Sequence, residues 1–188
     1  MDLTRSIFVL MPLLGLVGCA GSEVGKWVAS EGGIDSDAAR EIRVKRVLPL
    51  VAASCQGRNL SITVLANDNP AAFSFRNGRL FVTRGLVDLL SEQELVAALD
   101  HEVGHLLSDG QVRPIAGLKG CEEKGCVDGE SAADLVGRKL LQRQGESPAV
   151  MVQMLQKVRT ASKLPAACGA SLDRRIELLK SITDVAAN

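Results

Sequence analysis

Two histidines and a glutamate at a fixed spacing are the residues of this 188-residue chain best suited to do chemistry. His101, Glu102 and His105 form the pattern HExxH, and the sequence contains no other histidine. Residues four apart lie above one another on a helix, so both imidazoles can bind one metal ion at about 2.0–2.1 Å. Glu102 then lies beside the metal, where its carboxylate can take a proton from an attacking water molecule. The spacing predicts a hydrolytic site that holds one Zn²⁺ per chain.

A hydrolytic zinc site needs a third protein ligand, which in this chain must be a carboxylate or a cysteine. The segment GESAAD, residues 129–134, offers Glu130, and Asp134 follows one turn later on the same face of a predicted helix. We expect Glu130 to bind the metal and Asp134 to accept the free ring N–H of a ligand histidine. The alternative is that Glu130 and Asp134 simply lie on a solvent-exposed face of the helix and bind nothing.

The helix that must carry HExxH has a clear start. Ser91 and Glu94 form a capping box, which predicts a helix over residues 92–107. The faces of this helix that do not carry the HExxH residues are apolar, as in a helix buried in a core. A chance pair of surface histidines is therefore a poor explanation of the pattern.

Periodicity and turn residues predict the other elements. Residues 60–66 alternate apolar side chains with Ser or Thr, as a strand does, and residues 73–82 predict a hairpin that turns at Asn77-Gly78. Further helices are predicted over residues 36–53, 130–143, 148–161 and 172–185. The first of these would be capped by Asp35 or Ser36 and would bury Ile42, Val47, Leu48 and Val51. The expected fold class is α+β, mostly helical, with a short sheet beside the active helix.

The N-terminal residues are typical of an export signal. Residues 7–17 are almost entirely apolar, but this run is too short to cross a bilayer comfortably as a helix. The following residues, Leu16-Val17-Gly18-Cys19, resemble the lipobox of bacterial lipoproteins, in which Cys19 would be acylated after cleavage. An ordinary signal peptide is the alternative. We therefore expect a signal peptide over 1–18, a tether over 19–36 and a single domain over 37–188, with Ala20 favouring the outer membrane, facing the periplasm.

The other four cysteines are candidates for disulfides. Cys55, Cys121, Cys126 and Cys168 are an even number in a chain that is expected to reach an oxidising compartment. Four cysteines allow three pairings, and the sequence does not choose among them. A zinc site made of these cysteines is the rival interpretation.

Composition and charge exclude several classes of protein. The chain is 46% hydrophobic, with 22 basic and 22 acidic residues. This is ordinary globular composition, so neither wholesale disorder nor a fibrous repeat is expected. A formal charge of zero removes the field on which nucleic-acid binding usually depends. We expect no nucleic-acid partner and contact with a membrane only through the lipidated N-terminus.

The motifs together resemble a known family of metallopeptidases. HExxH followed by ExxxD is similar to the gluzincin class, and the wider sequence resembles the HtpX, BepA and CAAX-prenyl-protease group. The resemblance includes the hairpin, the segment Thr83-Arg84-Gly85-Leu86 and the entry to the active helix. It departs from the group at Ala71, where Asn is usual, and at Cys168-Gly169, where His-Pro is often found.

This resemblance implies a zincin-like metallopeptidase fold and specific roles. His101, His105 and Glu130 would bind zinc, and Glu102 would be the general base. The hairpin would guide substrate, and an extended peptide would add to its outer strand. The hairpin residues expected to form this substrate strand are Phe73, Phe75, Arg79 and Phe81.

The stabiliser of the developing oxyanion has to be of an unusual type. Many gluzincins use His or Tyr, but this chain has no tyrosine and no third histidine. The donor must then be Arg, Lys, Asn, a backbone N–H or the metal alone. Arg175, with Arg174 as its neighbour, is our candidate, and the alternative for both is a surface cap or ion pair.

These observations predict a zinc-dependent endopeptidase, anchored by lipid in the bacterial cell envelope, that cleaves unfolded or misassembled envelope proteins. The substrate class follows from the family resemblance and the expected location, and from no individual residue. The alternative is a non-catalytic zinc-binding module of the same fold that binds clients or an envelope assembly partner. A third hypothesis is that the loop over residues 110–129 blocks the open position of the metal.

Overall fold

The computed structural model describes residues 20–55, 59–75, 77–108, 129–162 and 166–186. Cys19, Cys121, Cys126 and residues 110–128 of the loop predicted over 110–129 lie outside these residues, so the expectations for them stay predictions. The described elements, in chain order, are α1 (Ala20–Ser30), α2 (Ala38–Ser54), β1 (Ser61–Leu65), β2 (Ala72–Phe75), β3 (Arg79–Thr83), α3 (Arg84–Leu89), α4 (Glu92–Ser108), α5 (Gly129–Arg143), α6 (Ala149–Ala161) and α7 (Ala166–Ala186). The predicted α+β, zincin-like class is confirmed. None of the described helices is both long and apolar enough to cross a membrane.

The three strands form one sheet in the order β1-β3-β2. β1 pairs with β3 in parallel, and β2 pairs with β3 in the predicted antiparallel hairpin. Gly78 ends the turn with a φ of +82°, which favours glycine. Because β3 is paired on both edges, it has no free edge for a peptide, and the assignment of Arg79 and Phe81 to a substrate-binding strand is wrong. β2 forms one edge of the described sheet and β1 the other, where Leu65 makes a single bridge to Ile34.

One face of the sheet is covered by an aromatic cluster. The Trp27 ring, on α1, lies 5.1 Å from the ring centroids of Phe73, Phe75 and Phe81. The segment expected to be a tether is therefore helical over Ala20–Ser30, and its tryptophan packs on the domain. The side chains of Phe73 and Phe75 face this helix. Their assignment to a substrate strand concerns the main-chain edge of β2 and stays a prediction.

The opposite face of the sheet packs against α4, the central helix. Its predicted capping box is present: Ser91 N donates to Glu94 Oε2 at 2.7 Å, and Glu94 N donates to Ser91 Oγ at 3.2 Å. Lys157, on α6, also donates to this Oε2 at 2.7 Å, which ties the start of α4 to its neighbour. α4 is surrounded by α2, α5, α6 and β2. Its middle is therefore buried on all sides and holds its side chains in fixed positions.

Three local predictions differ from the structure. α2 is capped by Asp37, whose Oδ1 accepts from Ala39 N and Arg40 N, and not by Asp35 or Ser36. Its buried stripe is Val44, Val47 and Val51, whereas Ile42 is 57% exposed. The short helix α3, capped by the Thr83 hydroxyl, was not expected, and α7 begins six residues before the predicted start at residue 172.

Candidate metal centre

Helix α4 places both imidazoles on one side, facing α5. The Nε2 atoms of His101 and His105 lie 3.2 Å apart, and the two rings are nearly perpendicular. Both residues are buried. Two lone pairs held this close repel each other unless a cation or proton lies between them. The pair is therefore arranged to share one positively charged partner.

Glu130, the first carboxylate of α5, lies next to both nitrogens. Its Oε2 lies 3.4 Å from His101 Nε2, and its Oε1 lies 3.3 Å from His105 Nε2. A tetrahedral zinc with bonds of about 2.0–2.1 Å keeps its ligand atoms about 3.3 Å apart. Each of the three separations thus has the length expected for an edge of a zinc tetrahedron, with one carboxylate oxygen facing each nitrogen. Ligand atoms of His101, Glu102 and His105 also lie within 4.8 Å of one another, whereas Glu130 places one oxygen near each Nε2.

Two glycines let α5 approach α4 closely enough for this contact. A Cβ on Gly104 would lie 2.6 Å from the carbonyl oxygen of Ala133, and a Cβ on Gly137 would lie 2.9 Å from the backbone N of His101. Neither distance is compatible with a larger residue in the present backbone arrangement. The absence of both side chains brings Glu130 within reach of the histidines.

Asp134 and Arg175 support the ligands from behind. His101 Nδ1 lies 2.7 Å from Asp134 Oδ1, so the ring N–H is donated to this carboxylate and the Nε2 lone pair faces the metal position. Arg175, on α7, donates from Nε to Asp134 Oδ2 at 2.6 Å and from Nη2 to Oδ1 at 2.8 Å. It also donates from Nη1 to Glu130 Oε2 at 3.1 Å. One guanidinium therefore fixes both carboxylates.

Burial and charge oppose each other in the pKa values of the metal-free site. Burial alone would lower the pKa of His101, but the carboxylates of Asp134 and Glu130 outweigh it and raise that pKa to about 9. Burial alone would raise the pKa of Glu130, but hydrogen bonds from the two histidines hold it well below its usual range. Burial likewise opposes ionisation of Asp134, and the charge of His101 and the hydrogen bonds of Arg175 hold its pKa low. Both carboxylates are thus ionised and acceptors.

The charges of the cluster fit a divalent cation. Glu102, Glu130 and Asp134 supply three carboxylates and Arg175 one guanidinium, so two positive charges would neutralise the site when Glu102 is ionised. Asp100 is also buried, and burial raises its pKa to about 8, so it is largely protonated at neutral pH. Nitrogen from two histidines with oxygen from one glutamate is a ligand set used by catalytic zinc. These residues fit Zn²⁺.

Glu102 lies beside this ligand set and is itself almost fully buried. Burial raises the pKa of its carboxyl, and the two imidazoles and the Ser74 hydroxyl act in the opposite direction. Its Oε1 has no hydrogen-bond partner among the described residues. A carboxylate with raised proton affinity and an unused oxygen beside the metal position is suited to accept a proton from water.

The structure brings together His101, Glu102, His105, Glu130 and Asp134, as predicted from the sequence. Arg175 joins them, but its described hydrogen bonds go to carboxylates, and its role as an oxyanion donor stays a prediction. Of the disulfide candidates, Cys55 is buried and Cys168 is partly exposed, and the pairing also stays a prediction.

Sequence reasoning missed Gly137 and Ser74. Gly137 lies seven residues after Glu130, two turns along α5, which is a detectable signal of close helix packing. Ser74 alternates with two phenylalanines in β2, which already places it on the opposite face of the strand.

Comparison with known proteins agrees with this geometry. The model of peptidase family M48 matches residues 37–122, which include α2, the sheet, α3 and α4 with its HExxH pattern. A search of curated proteins finds no match. Peptidases of this family are zinc-dependent, and the residues of the cluster fit that metal. Residues 37–122, and with them α4 and its HExxH pattern, are therefore similar to peptidase family M48, whose members are zinc metallopeptidases.

Proposed function

We propose that the chain is an endopeptidase of the gluzincin type, in which Glu130 is the third zinc ligand. The observation that carries this proposal is that His101 Nε2 and His105 Nε2 lie 3.2 Å apart, and that each has one oxygen of Glu130 at 3.3–3.4 Å. Zinc held there would polarise the scissile carbonyl and make water acidic enough to react near neutral pH. Glu102 accepts the proton of the attacking water and delivers it to the leaving amine. Asp134 and Arg175 keep the ligands oriented throughout.

The edge strand supports the endopeptidase part of the proposal. β2 packs against α4, and its outer edge pairs with no strand among the described residues. An extended peptide could add to this edge through main-chain hydrogen bonds, which do not depend on its sequence. A peptide bound in this way can continue in both directions beyond the reacting bond. Unfolded polypeptides, which expose such extended segments, are the substrates that we propose.

We further propose that Cys19 is lipidated and that the enzyme acts on unfolded or misassembled envelope proteins from the periplasmic side of the outer membrane. The lipobox-like residues 16–19 support this location. Replacing Cys19 by Ser should move the protein from the membrane fraction to the soluble fraction of the cells. A variant that stays in the membrane fraction would contradict the anchor without affecting the proposed chemistry.

The chemistry is tested by comparing the wild type with Glu102→Gln. The variant should keep stoichiometric zinc, since Glu102 is not a proposed ligand, and cleave casein about 10²–10⁴-fold more slowly. The matched control is Glu177→Gln, because Glu177 lies on the surface of α7 and pairs only with Lys180 in the described structure. It should cleave as the wild type does. A wild-type chain that holds zinc but cleaves nothing, oxidised or reduced, would instead indicate a non-catalytic binding module.

A further inference from the structure

Two buried polar atoms at the boundary between β2 and α4 lack partners. The hydroxyl of Ser74, which is 7% exposed, and Oε1 of Glu102, which is 2% exposed, each have no hydrogen-bond partner among the described residues. Buried polar groups in native proteins are nearly always hydrogen-bonded, and an unmade bond lowers stability. Two such atoms beside the metal position therefore need a common explanation.

Strand geometry aims the Ser74 hydroxyl at the active helix. Successive side chains of a strand point to opposite faces. Phe73 and Phe75 contact Trp27 on one face, so Ser74, between them, points to the other, where β2 packs on α4. The Ser74 hydroxyl is also one of the groups that act against burial on the pKa of Glu102, in agreement with this placement. Ser74 thus faces the general base.

An apolar residue would suit this position better if only the fold mattered. Ala72, its neighbour on the same face of β2, is fully buried and contributes no polar atom. Replacing a buried hydroxyl without a partner by a methyl group is nearly neutral or stabilising. A hydroxyl retained at such a cost, next to an unpaired carboxylate oxygen, is arranged to bind a small polar molecule.

We propose that Ser74 is a positioning residue, which together with Glu102 holds the water molecule that attacks the peptide bond. This inference rests on the proposed endopeptidase function. One hydrogen of the water is donated to Glu102 Oε1 and the other to the Ser74 hydroxyl oxygen. A lone pair of the water oxygen is then left for the carbonyl carbon. The first hydrogen is the proton that Glu102 takes up, and Ser74 gains and loses no proton.

Three variants test this role in the full-length protein. Ser74→Ala removes the hydroxyl, Ser74→Thr keeps it on a residue that strands accept, and Ser61→Ala is the control, since Ser61 is exposed on β1. We measure kcat and KM on fluorescently labelled casein, the zinc content, and the urea unfolding of the metal-free protein. The unfolding measurement reports on the unpaired hydroxyl without requiring activity.

We expect kcat of Ser74→Ala to fall about tenfold, because a misplaced water reacts more slowly. KM and zinc content should change less than about twofold, since the hydroxyl contacts neither the edge of β2 nor the proposed ligands. Metal-free Ser74→Ala should be at least as stable as the wild type. Ser74→Thr should recover most of the lost rate, and Ser61→Ala should change nothing.

Several results would overturn the inference. A Ser74→Ala variant with wild-type kcat, or a loss of rate that Thr does not restore, excludes the positioning role. A metal-free Ser74→Ala variant that unfolds more easily than the wild type would show that its hydroxyl is already satisfied. A wild-type chain that binds zinc and does not cleave casein would overturn the proposed function, and this inference with it. If the wild type cleaves casein and Ser74→Ala cleaves it equally fast, this inference is overturned and the proposed function is not.

Discussion

The two halves of the chain contribute to the metal centre in different ways. The first, up to α4, supplies His101, Glu102 and His105 from five consecutive residues of one helix. The second, from α5 onward, supplies Glu130, Asp134 and Arg175 from two helices. The match to the M48 family ends at residue 122, before α5 begins. The first half therefore carries the recognisable motif, and the second half carries the groups that convert it into a three-ligand site.

This difference reflects how each group is positioned. The spacing of HExxH is imposed by the α-helix itself, so its geometry is fixed wherever the helix forms. Glu130 reaches the histidines only because α5 crosses α4 at a distance that Gly104 and Gly137 permit. The motif is a property of local structure, whereas the complete site is a property of tertiary packing. Loss of groups from the second half should therefore weaken metal binding without disturbing α4.

Replacing Glu130 by Ala is the strongest test of this division. The variant keeps both histidines but loses the oxygen ligand, so its zinc affinity should fall by more than the roughly 100-fold that losing an outer partner costs. Competition with a chromophoric chelator measures this affinity. Glu177→Ala, a surface replacement on α7, is the control and should bind as the wild type does. A Glu130→Ala variant with unchanged affinity would show that α4 alone holds the metal.

The second-largest expected effect is the pH dependence of the zinc affinity. In the metal-free protein the pKa of His101 is raised from 6.5 to about 9, so a proton occupies the site at neutral pH. Zinc must displace it, and its apparent affinity should rise about tenfold per pH unit between pH 7 and 9, about 100-fold in all. A pH-independent affinity over this range would contradict the raised pKa.

The same pKa has the opposite consequence for the metal-free fold. Because folding raises the pKa of His101, its protonated ring stabilises the folded state fully below about pH 6.5. This contribution is lost as the pH rises through 9. Urea unfolding of the metal-free protein should therefore become easier over the range in which zinc binding becomes tighter. The two trends in opposite directions distinguish a site effect from general alkaline instability.

Much of the fold could be predicted because its signals are local. The capping box of Ser91 and Glu94, the helical spacing of HExxH and the hairpin before α4 each depend on residues that are neighbours in sequence. The alternation of β2 is also visible in the sequence, but the packing partner of its aromatic side chains is not. Since three phenylalanines and a tryptophan bury one another, those side chains are part of the packing.

The sequence-based predictions are incomplete or wrong where tertiary contacts determine the local structure. The Gly- and Ser-rich residues 20–36 predict a tether, and the sequence does not show that residues 20–30 form a helix whose Trp27 packs on the sheet. Ile42 suits the apolar pattern of α2, yet that helix buries the stripe of Val44 and Val47 instead. Arg175 was identified as a candidate by elimination of His and Tyr. Its bidentate contact with Asp134 depends on how α7 packs on α5, which the sequence does not reveal.

Asp134→Asn should have a smaller effect on zinc than Glu130→Ala. The variant preserves the shape of the side chain but removes the charge that accepts from His101 Nδ1 and from Arg175. Losing such a partner typically costs 10–100-fold in metal affinity. Asp173→Asn, which alters a surface pair with Arg159 on the same domain, is the control. Equal affinities for the two variants would mean that Asp134 does not orient the ligand histidine.

Trp27→Ala should have the smallest effect on the metal centre and a substantial one on the fold. Trp27 contacts three phenylalanines on the face of the sheet away from α4, so zinc affinity should stay within about twofold of the wild type. Truncating a large aromatic residue in a core costs about 3–5 kcal/mol, and the free energy of unfolding should fall by about the lower figure because Trp27 is half-buried. Urea unfolding and chelator competition measure the two effects, and Trp27→Phe should lose less stability. A Trp27→Ala variant that binds zinc much more weakly would show that the aromatic cluster also positions the metal ligands, and the site would then depend on α1 as well as on the two halves compared above.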